Sequence, residues 1–178
     1  MLFNYRVAAL AAAAVAAASL SSGAAVAMPM FTSASVPDRL LAQQNAARGA
    51  LGVGPMQWDA SLAAAAAGYA AELARTGRWG HSDRSARPGQ GENLWMGTRG
   101  AFSPEQMVGG WLSEGRFFRA GNFPAVSRTG NWEDVGHYSQ ILWRGTTHIG
   151  CAIRSSQDYD YLVCRYSPPG NVDTLPVY

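Results

Sequence analysis

The chain has 178 residues, a formal net charge of +2, and 14 basic residues that are all arginine. This near balance of charge, without a basic run, excludes a nucleic-acid-binding protein of the electrostatic type. The length is that of one domain, large enough to bury a core without a structural metal or many disulfides.

The N-terminus has the pattern of a secretory signal. Arg6 precedes an alanine-rich apolar run at residues 7–20, and Ala25-Val26-Ala27 supplies an A-x-A cleavage site. The apolar run is shorter than the ~20 residues that span a bilayer. We therefore assign residues 1–27 to a cleaved signal peptide and expect no transmembrane segment afterwards. Residues 28–178 form one domain, which we expect to be secreted, either extracellular or periplasmic.

Apolar residues at three- and four-residue steps predict two helices early in the mature chain. The first begins at Val36 and ends near Gly49. The second has Asp59 as its N-cap, continues through Arg75 and stops at Gly77. The residues that carry the two patterns are Leu40, Leu41, Gln44 and Ala47, then Leu62, Ala66, Tyr69 and Leu73.

The middle of the chain is less regular. Glycines and prolines interrupt residues 80–100, which predicts an irregular loop of the kind that often carries function. Ser103, Pro104 and Gln106 then supply an N-cap, a first-turn proline and a capping-box partner, so a third helix begins here. Helices early and strands late predict an α+β fold rather than alternating βαβ units.

The two cysteines predict a disulfide across a hairpin. Residues 149–153 and 161–166 are β-rich, and residues 154–160 join them. A hairpin centred on this connection places Cys151 opposite Cys164, within disulfide reach. An even cysteine count in an exported protein favours the bond over two free thiols.

Four polar residues are candidates for a site. Glu114 comes three residues after Trp111, so we expect it on the apolar face of its helix, where a carboxylate must be paired or metal-facing. Each candidate also has a plainer interpretation. Glu114 can reach water past the core edge, and His81 can lie on the surface. Glu92 can fix a loop through backbone N–H groups, and His137 can be a hydrogen-bonded core imidazole.

Familiar catalytic motifs are absent from the sequence. There is no Gly-x-Ser-x-Gly elbow, His-Glu-x-x-His helix, Walker loop or Cys-x-x-Cys pair. His137 and Ser139 lie two residues apart, but no third group completes a nucleophile and base. Two glutamates leave a glycosidase acid and nucleophile open.

Five stretches of the chain resemble one known family, the CAP superfamily of cysteine-rich secretory proteins, antigen five and plant pathogenesis-related class-one proteins. Residues 136–143 (Gly-His-Tyr-Ser-Gln-Ile-Leu-Trp) are similar to its first signature, and residues 161–171 to its second. His81-Ser82, Gly91-Glu92-Asn93-Leu94 and Trp111-x-x-Glu114 are similar to shorter motifs in the same order. The resemblance covers about residues 40–171, and the composition is that of a bacterial-type single-domain member.

The resemblance implies a three-layer α-β-α sandwich with a central antiparallel sheet. It also implies a cleft with a tetrad, His81, Glu92, Glu114 and His137. By the same resemblance we expect the two histidines to bind zinc or another divalent cation weakly, with the glutamates near the cation through water. Further cleft residues implied by the motifs are Ser82, Asn93, Tyr138, Ser139 and Gln140. His148 lies outside the pattern, and we expect it on a strand surface.

The sequence favours a secreted, non-enzymatic and monomeric binding module for a small molecule, lipid or protein. Trp79, Trp95 and Phe102 are candidate apolar contacts, or else core residues. One alternative is a metal-assisted hydrolase in which Glu92 or Glu114 is the general base. The other is a glycosidase that uses the same two glutamates.

Overall fold

The computed structural model describes residues 34–178, so the signal peptide assigned to residues 1–27 lies outside the described residues. Within residues 34–178 there are four α-helices, α1 (Val36–Gly49), α2 (Ala60–Thr76), α3 (Pro104–Leu112) and α4 (Gly136–Leu142). The same part of the chain has four strands, β1 (Gln57–Trp58), β2 (Gly91–Thr98), β3 (His148–Ser155) and β4 (Tyr159–Ser167). Short 3₁₀ turns cover Arg84–Ala86, Ser113–Phe117 and Trp132–Val135.

The strands form one sheet in the order β1-β3-β4-β2. The pairs β3–β4 and β2–β4 are antiparallel, as expected, but the short β1 runs parallel to β3. In the β3–β4 hairpin Cys151 lies directly opposite Cys164, and a disulfide joins them. The disulfide prediction is therefore confirmed.

Helices cover both faces of the sheet, which gives the expected α-β-α sandwich. Along β4 successive side chains point to opposite faces. Tyr161 and Val163 pack against α2. Leu162, Cys164 and Tyr166 pack in the core that α1, α3 and α4 share. A separate buried cluster forms below the C-terminal tail from Phe118, Phe123, Val126, Val135, Leu142, Trp143 and Val177.

The helix ends follow the local signals. The Asp59 side chain accepts the N–H groups of Ser61 and Leu62 at the start of α2, and Gly77 ends that helix with φ of 67°. Ser103 forms the capping box of α3. The α3 helix, however, ends at Leu112, so Glu114 lies in a 3₁₀ turn and not on the apolar face of the helix.

The expectation of an irregular loop throughout residues 80–100 is wrong, because β2 occupies its second half. Residues Gly91–Thr98 pair with β4 along their whole length. Leu94 is buried against α2. Gly97 near the end of β2 and Gly100 in the turn after it interrupt the regular sequence pattern of this strand. Pairing with a strand about 70 residues away overrides weak local β-propensity.

The arginine side chain of Arg48 fixes the region around α4. Arg48 is buried and donates to the carbonyl oxygens of Gly54, Ile141, Trp143 and Thr146 at 2.7–2.9 Å. Burial lowers the pKa of this guanidinium. These bonds connect α1 to the end of α4 and so help to hold the segment that carries His137.

None of the helices in the described part of the chain has both the length and the apolar character needed to cross a membrane.

Candidate functional site: two histidine–glutamate pairs

The first pair joins His81 to Glu92. The Nδ1 atom of His81 lies 2.7 Å from Oε1 of Glu92, and the backbone N–H of Ser82 donates to the same oxygen at 3.0 Å. On the other oxygen, Oε2, the Ser82 hydroxyl donates at 2.8 Å and Arg165 contacts at 3.0 Å. Burial alone would raise the pKa of Glu92, but these partners outweigh it and hold that pKa below its ordinary value.

Arg165 positions this pair from the neighbouring strand. It lies opposite Glu92 in the β2–β4 register, so the two side chains share one face of the sheet. Its side chain is only 4% exposed, and its guanidinium lies 5.5 Å from the centre of the Tyr69 ring. Burial lowers the pKa of Arg165. The sequence motifs did not identify Arg165 as a site residue. Arg165 follows Tyr161 and Val163 at two-residue steps along β4, and this alternation predicts that its charged side chain lies on the same buried face of the sheet.

The second pair joins Glu114 to His137. Oε1 of Glu114 lies 2.6 Å from Nδ1 of His137, and Oε2 accepts the backbone N–H groups of His137 and Tyr138 at 3.0 Å. The imidazole stacks on the indole of Trp111, with ring centres 5.8 Å apart and planes 17° apart. The 3₁₀ turn after α3 therefore holds the first turn of α4 and the orientation of His137.

Both histidines line one cavity of about 1030 Å³. Glu92, Asn93 and Gln140 line it too, whereas Glu114 lies behind His137 and is not among the lining residues. Other parts of the wall are apolar or charged: Arg84, Arg87, Phe123, Pro124, Trp132, Glu133 and Asp173. A volume of this size is typical of small-molecule sites.

The other residues that the motifs singled out have structural partners. Asn93 donates to the carbonyl of His137 at 3.1 Å and to the Tyr166 hydroxyl at 3.2 Å. Ser139 is buried, and its hydroxyl donates to Asn171 at 2.7 Å. The other two motif residues, Gln140 and Tyr138, contact different parts of the structure.

Gln140 and Tyr138 lie on either side of α4. The side-chain oxygen of Gln140 accepts the N–H of Gly170 at 2.9 Å, and its amide donates to Thr146 at 3.2 Å. Tyr138 packs edge-on against Phe118. α4 is thus held to the C-terminal tail on one side and to the buried cluster below that tail on the other.

The three aromatic candidates also differ. Trp79 and Phe102 are exposed, by 49% and 42%. Trp95 is half-buried, packs against the core and meets the Phe102 ring edge-on at 5.1 Å. His148 is the first residue of β3 and is half-buried, with Nδ1 beside the Thr147 hydroxyl at 2.9 Å.

The donor set that the cleft offers to a cation is two imidazole nitrogens, a ligand type that suits Zn²⁺. Each imidazole contacts a carboxylate through Nδ1, and because a carboxylate only accepts, Nδ1 carries a proton; in the neutral ring Nε2 is then the nitrogen that can bind a cation. Within residues 34–178 no group of three or more His, Cys, Asp or Glu side chains is arranged to hold a metal. Each glutamate contacts its histidine directly, and the water-mediated approach of the glutamates to a cation that the resemblance implies stays a prediction.

The α-β-α fold and the two histidine–glutamate pairs define a sandwich domain with a polar cleft. A family model described as CAP, cysteine-rich secretory protein family, matches residues 41–166. The chain belongs to this family. It is 39% identical over 136 residues to pathogenesis-related protein 1 of Arabidopsis thaliana, covering 76% of this chain and 78% of the relative. It is 34% identical over 163 residues to pathogenesis-related protein PRMS of Zea mays, covering 89% and 92%.

Solved structures share the fold. The crystal structure of NaASP2 with Zn2+ superposes with a TM-score of 0.69 at 22% identity, covering 84% of this chain and 88% of that one. The structure of BmVAL-1 gives a TM-score of 0.68 at 22% identity, covering 83% and 84%. At these identities the likeness concerns the fold alone.

Proposed function

We propose that this CAP-domain protein is an exported binding module. Its cleft binds a divalent cation, for which zinc is the first candidate, through Nε2 of His81 and Nε2 of His137. One observation carries the proposal. Both histidines line the same cavity, and each has its Nδ1 atom occupied by a glutamate. Two imidazoles are thereby presented to one cleft, each with Nε2 as the nitrogen available to a cation.

The glutamates support cation binding from behind the histidines. A carboxylate that accepts the Nδ1 proton fixes the tautomer and raises the basicity of the ligating nitrogen. Two protein ligands leave other coordination positions to water or to a bound molecule, so the affinity is modest. The NaASP2 crystal structure contains Zn2+, which supports zinc as the first metal to test.

The engagement of the glutamates argues for binding rather than catalysis. Both oxygens of Glu92 are occupied by protein donors and the residue is 8% exposed. A general base must reach the water that it activates, and a glycosidase acid needs a raised pKa, whereas the pKa of Glu92 is lowered. Glu114 likewise accepts from His137 and Tyr138 through both oxygens. We assign both glutamates a positioning role.

The walls of the cleft suit a ligand of mixed character, as in most small-molecule sites. Trp132 is 40% exposed and Phe123 lies beside it, edge-on at 5.1 Å between ring centres. Arg84 and Glu133 add opposite charges to the wall. A small molecule, a lipid or a protein segment that supplies a ligand to the cation is the expected occupant. The Cys151–Cys164 disulfide supports an oxidising compartment, in line with the predicted signal peptide.

The test is a calorimetric zinc titration of the mature chain. We expect saturable binding that disappears in the His81→Ala/His137→Ala variant. The chain has three histidines, so His148→Ala is a matched control, and we expect it to bind as the native protein does. Failure of the native protein to bind zinc, or equal loss in the control, would refute the proposed site. Turnover of ester, peptide or glycoside substrates that a chelator abolishes would favour the hydrolase instead.

A further inference from the structure

A second cavity, of about 590 Å³, lies between the C-terminal half of α2 and the segment that follows it. Its walls combine two aromatic side chains, Tyr69 and Trp79, with polar ones that include Glu72, Asp83, Gln90 and Arg165. Its volume falls in the range of small-molecule sites. We call it the α2 cavity.

The walls of the α2 cavity carry unsatisfied hydrogen-bonding atoms. Among residues 34–178, three buried side-chain polar atoms have no hydrogen-bond partner, and two of them belong to residues that line this cavity: Nε of Arg165 and Oε1 of Gln90. Arg165 is 4% exposed. An unpaired buried donor or acceptor costs about 1–3 kcal/mol, so such atoms call for a partner. A hydroxyl group satisfies either atom, because it both donates and accepts.

The aromatic side chain at the rim is available to a ligand. Trp79 is 49% exposed, and its indole leans on the Tyr161 ring at 6.4 Å between centres, with an interplanar angle of 40°. Tyr69 donates to the carbonyl of Gly80 at 2.6 Å, which fixes the segment that carries Trp79 to α2. An indole held in this way is a suitable platform for the C–H face of a ring-shaped ligand.

The charges of the α2 cavity favour a neutral occupant. Two carboxylates, Glu72 and Asp83, and two guanidinium groups, Arg78 and Arg165, line it. Arg165 is already paired with Glu92, so the wall presents charges of both signs and has no excess of positive charge that would attract an anionic ligand. A fatty chain is disfavoured as well, since it would leave these polar groups unpaired. A sugar ring has C–H bonds on one face and hydroxyl groups around its edge, which matches both parts of the wall.

We propose that the α2 cavity binds a neutral carbohydrate unit, with the sugar ring on Trp79 and its hydroxyl groups on Glu72, Gln90 and Arg165. The unpaired atoms of Gln90 and Arg165 lie below the surface of the cavity wall. When the sugar binds, the side-chain amide of Gln90 rotates so that a sugar hydroxyl can reach it. The side-chain oxygen of Gln90 has no hydrogen bond that would oppose this rotation. His81 and Gln90 line both this cavity and the cation cleft. The sugar contacts proposed here do not include His81, so they do not require a bound cation.

The test is an NMR titration of the mature chain, carried out with a chelator so that the outcome is independent of the cation site. The probes are cellobiose, maltose and N,N′-diacetylchitobiose, with a sulfated disaccharide and a fatty acid as the competing ligand classes. The six tryptophans each give one indole N–H signal. We expect the Trp79 signal to shift saturably with at least one neutral disaccharide and the Trp132 signal to stay in place.

Variants locate the site. Trp79→Ala should weaken sugar binding by about fivefold to tenfold, which corresponds to the energy of one aromatic contact. Trp79→Phe keeps an aromatic ring and should therefore retain part of the affinity. Trp132→Ala is the matched control, because Trp132 is similarly exposed but lines the cation cleft. No saturable shift by any neutral disaccharide at concentrations about tenfold above a millimolar dissociation constant would overturn the proposal. So would binding restricted to the sulfated sugar or the fatty acid, or binding that Trp79→Ala leaves unchanged.

Discussion

Glu114 contacts His137 through both of its carboxylate oxygens. One oxygen meets the imidazole Nδ1 at 2.6 Å, and the other accepts the backbone N–H of the same residue at 3.0 Å. A single side chain therefore sets the direction of the ring and the start of the helix that carries it. Glu92 holds the His81 imidazole and the backbone N–H of the neighbouring Ser82 through a single oxygen, Oε1.

Replacing Glu114 by glutamine should weaken cation binding without removing a ligand. The amide cannot accept on both sides, so the His137 ring loses its fixed tautomer. We expect zinc affinity to fall by about 10- to 100-fold and the free energy of unfolding by about 1–3 kcal/mol. Zinc calorimetry and denaturant unfolding measure the two effects. Glu133→Gln, which changes an exposed glutamate of the same cleft, is the control, and equal affinity in both variants would refute the positioning role.

Glu92 should make the fold sensitive to acid. Its pKa is lower in the folded state than the ~4.3 of an unperturbed glutamate. Its contribution to stability is therefore fully present above that ordinary value and is lost as the pH falls through the lower, folded-state pKa. We expect Glu92→Gln to lower the free energy of unfolding by about 3 kcal/mol or more at pH 7, because Arg165 is left buried without its counter-charge.

The sign of this linkage is open to direct measurement. The difference in the free energy of unfolding between native protein and Glu92→Gln should shrink as the pH is lowered from 6 toward 3. Glu72→Gln, at an exposed position of α2, supplies the reference curve. A difference that stays constant or widens on acidification would contradict the lowered pKa.

Gly150 should not tolerate a side chain. A Cβ atom at this position in β3 would collide with the backbone of Asp59, Leu62 and Ala63, where α2 begins. Backbone cannot move aside cheaply, so we expect Gly150→Ala to lower the free energy of unfolding by at least about 2 kcal/mol. Gly68 lies within α2 with open space around it. Gly68→Ala should therefore raise stability by about 0.5–1 kcal/mol, and a similar loss in both variants would contradict the close approach.

The disulfide should stabilise the fold by restricting the unfolded chain. Cys151 and Cys164 are 13 residues apart, and closing a loop of this length is worth about 3 kcal/mol. Denaturant unfolding with and without reductant measures that loss. The Cys151→Ala/Cys164→Ala variant should not respond to reductant. Two reactive thiols in the unfolded, unreduced native protein would contradict the bond.

Local signals were sufficient for much of the fold. The Asp59 cap, the Gly77 stop and the Ser103 capping box each depend on groups within about four residues, so the sequence predicts them. The β3–β4 hairpin is also local in this sense, and its register brings Cys151 opposite Cys164. The family motifs identified both histidines and both glutamates of the site. Each motif is short and contiguous, so it can be recognised in the sequence without the fold.

Tertiary structure alone decided which of these residues meet, and how. The partner of β2 is about 70 residues away, and Arg165 reaches Glu92 only because those two strands pair. The pairing of His81 with Glu92, and of His137 with Glu114, likewise depends on how separate elements are brought together. Residue type and spacing act over a few positions, whereas the energy of a buried charge depends on its neighbours in space. The sequence by itself therefore determined the candidates, and the packing of distant elements determined their partners, protonation and orientation.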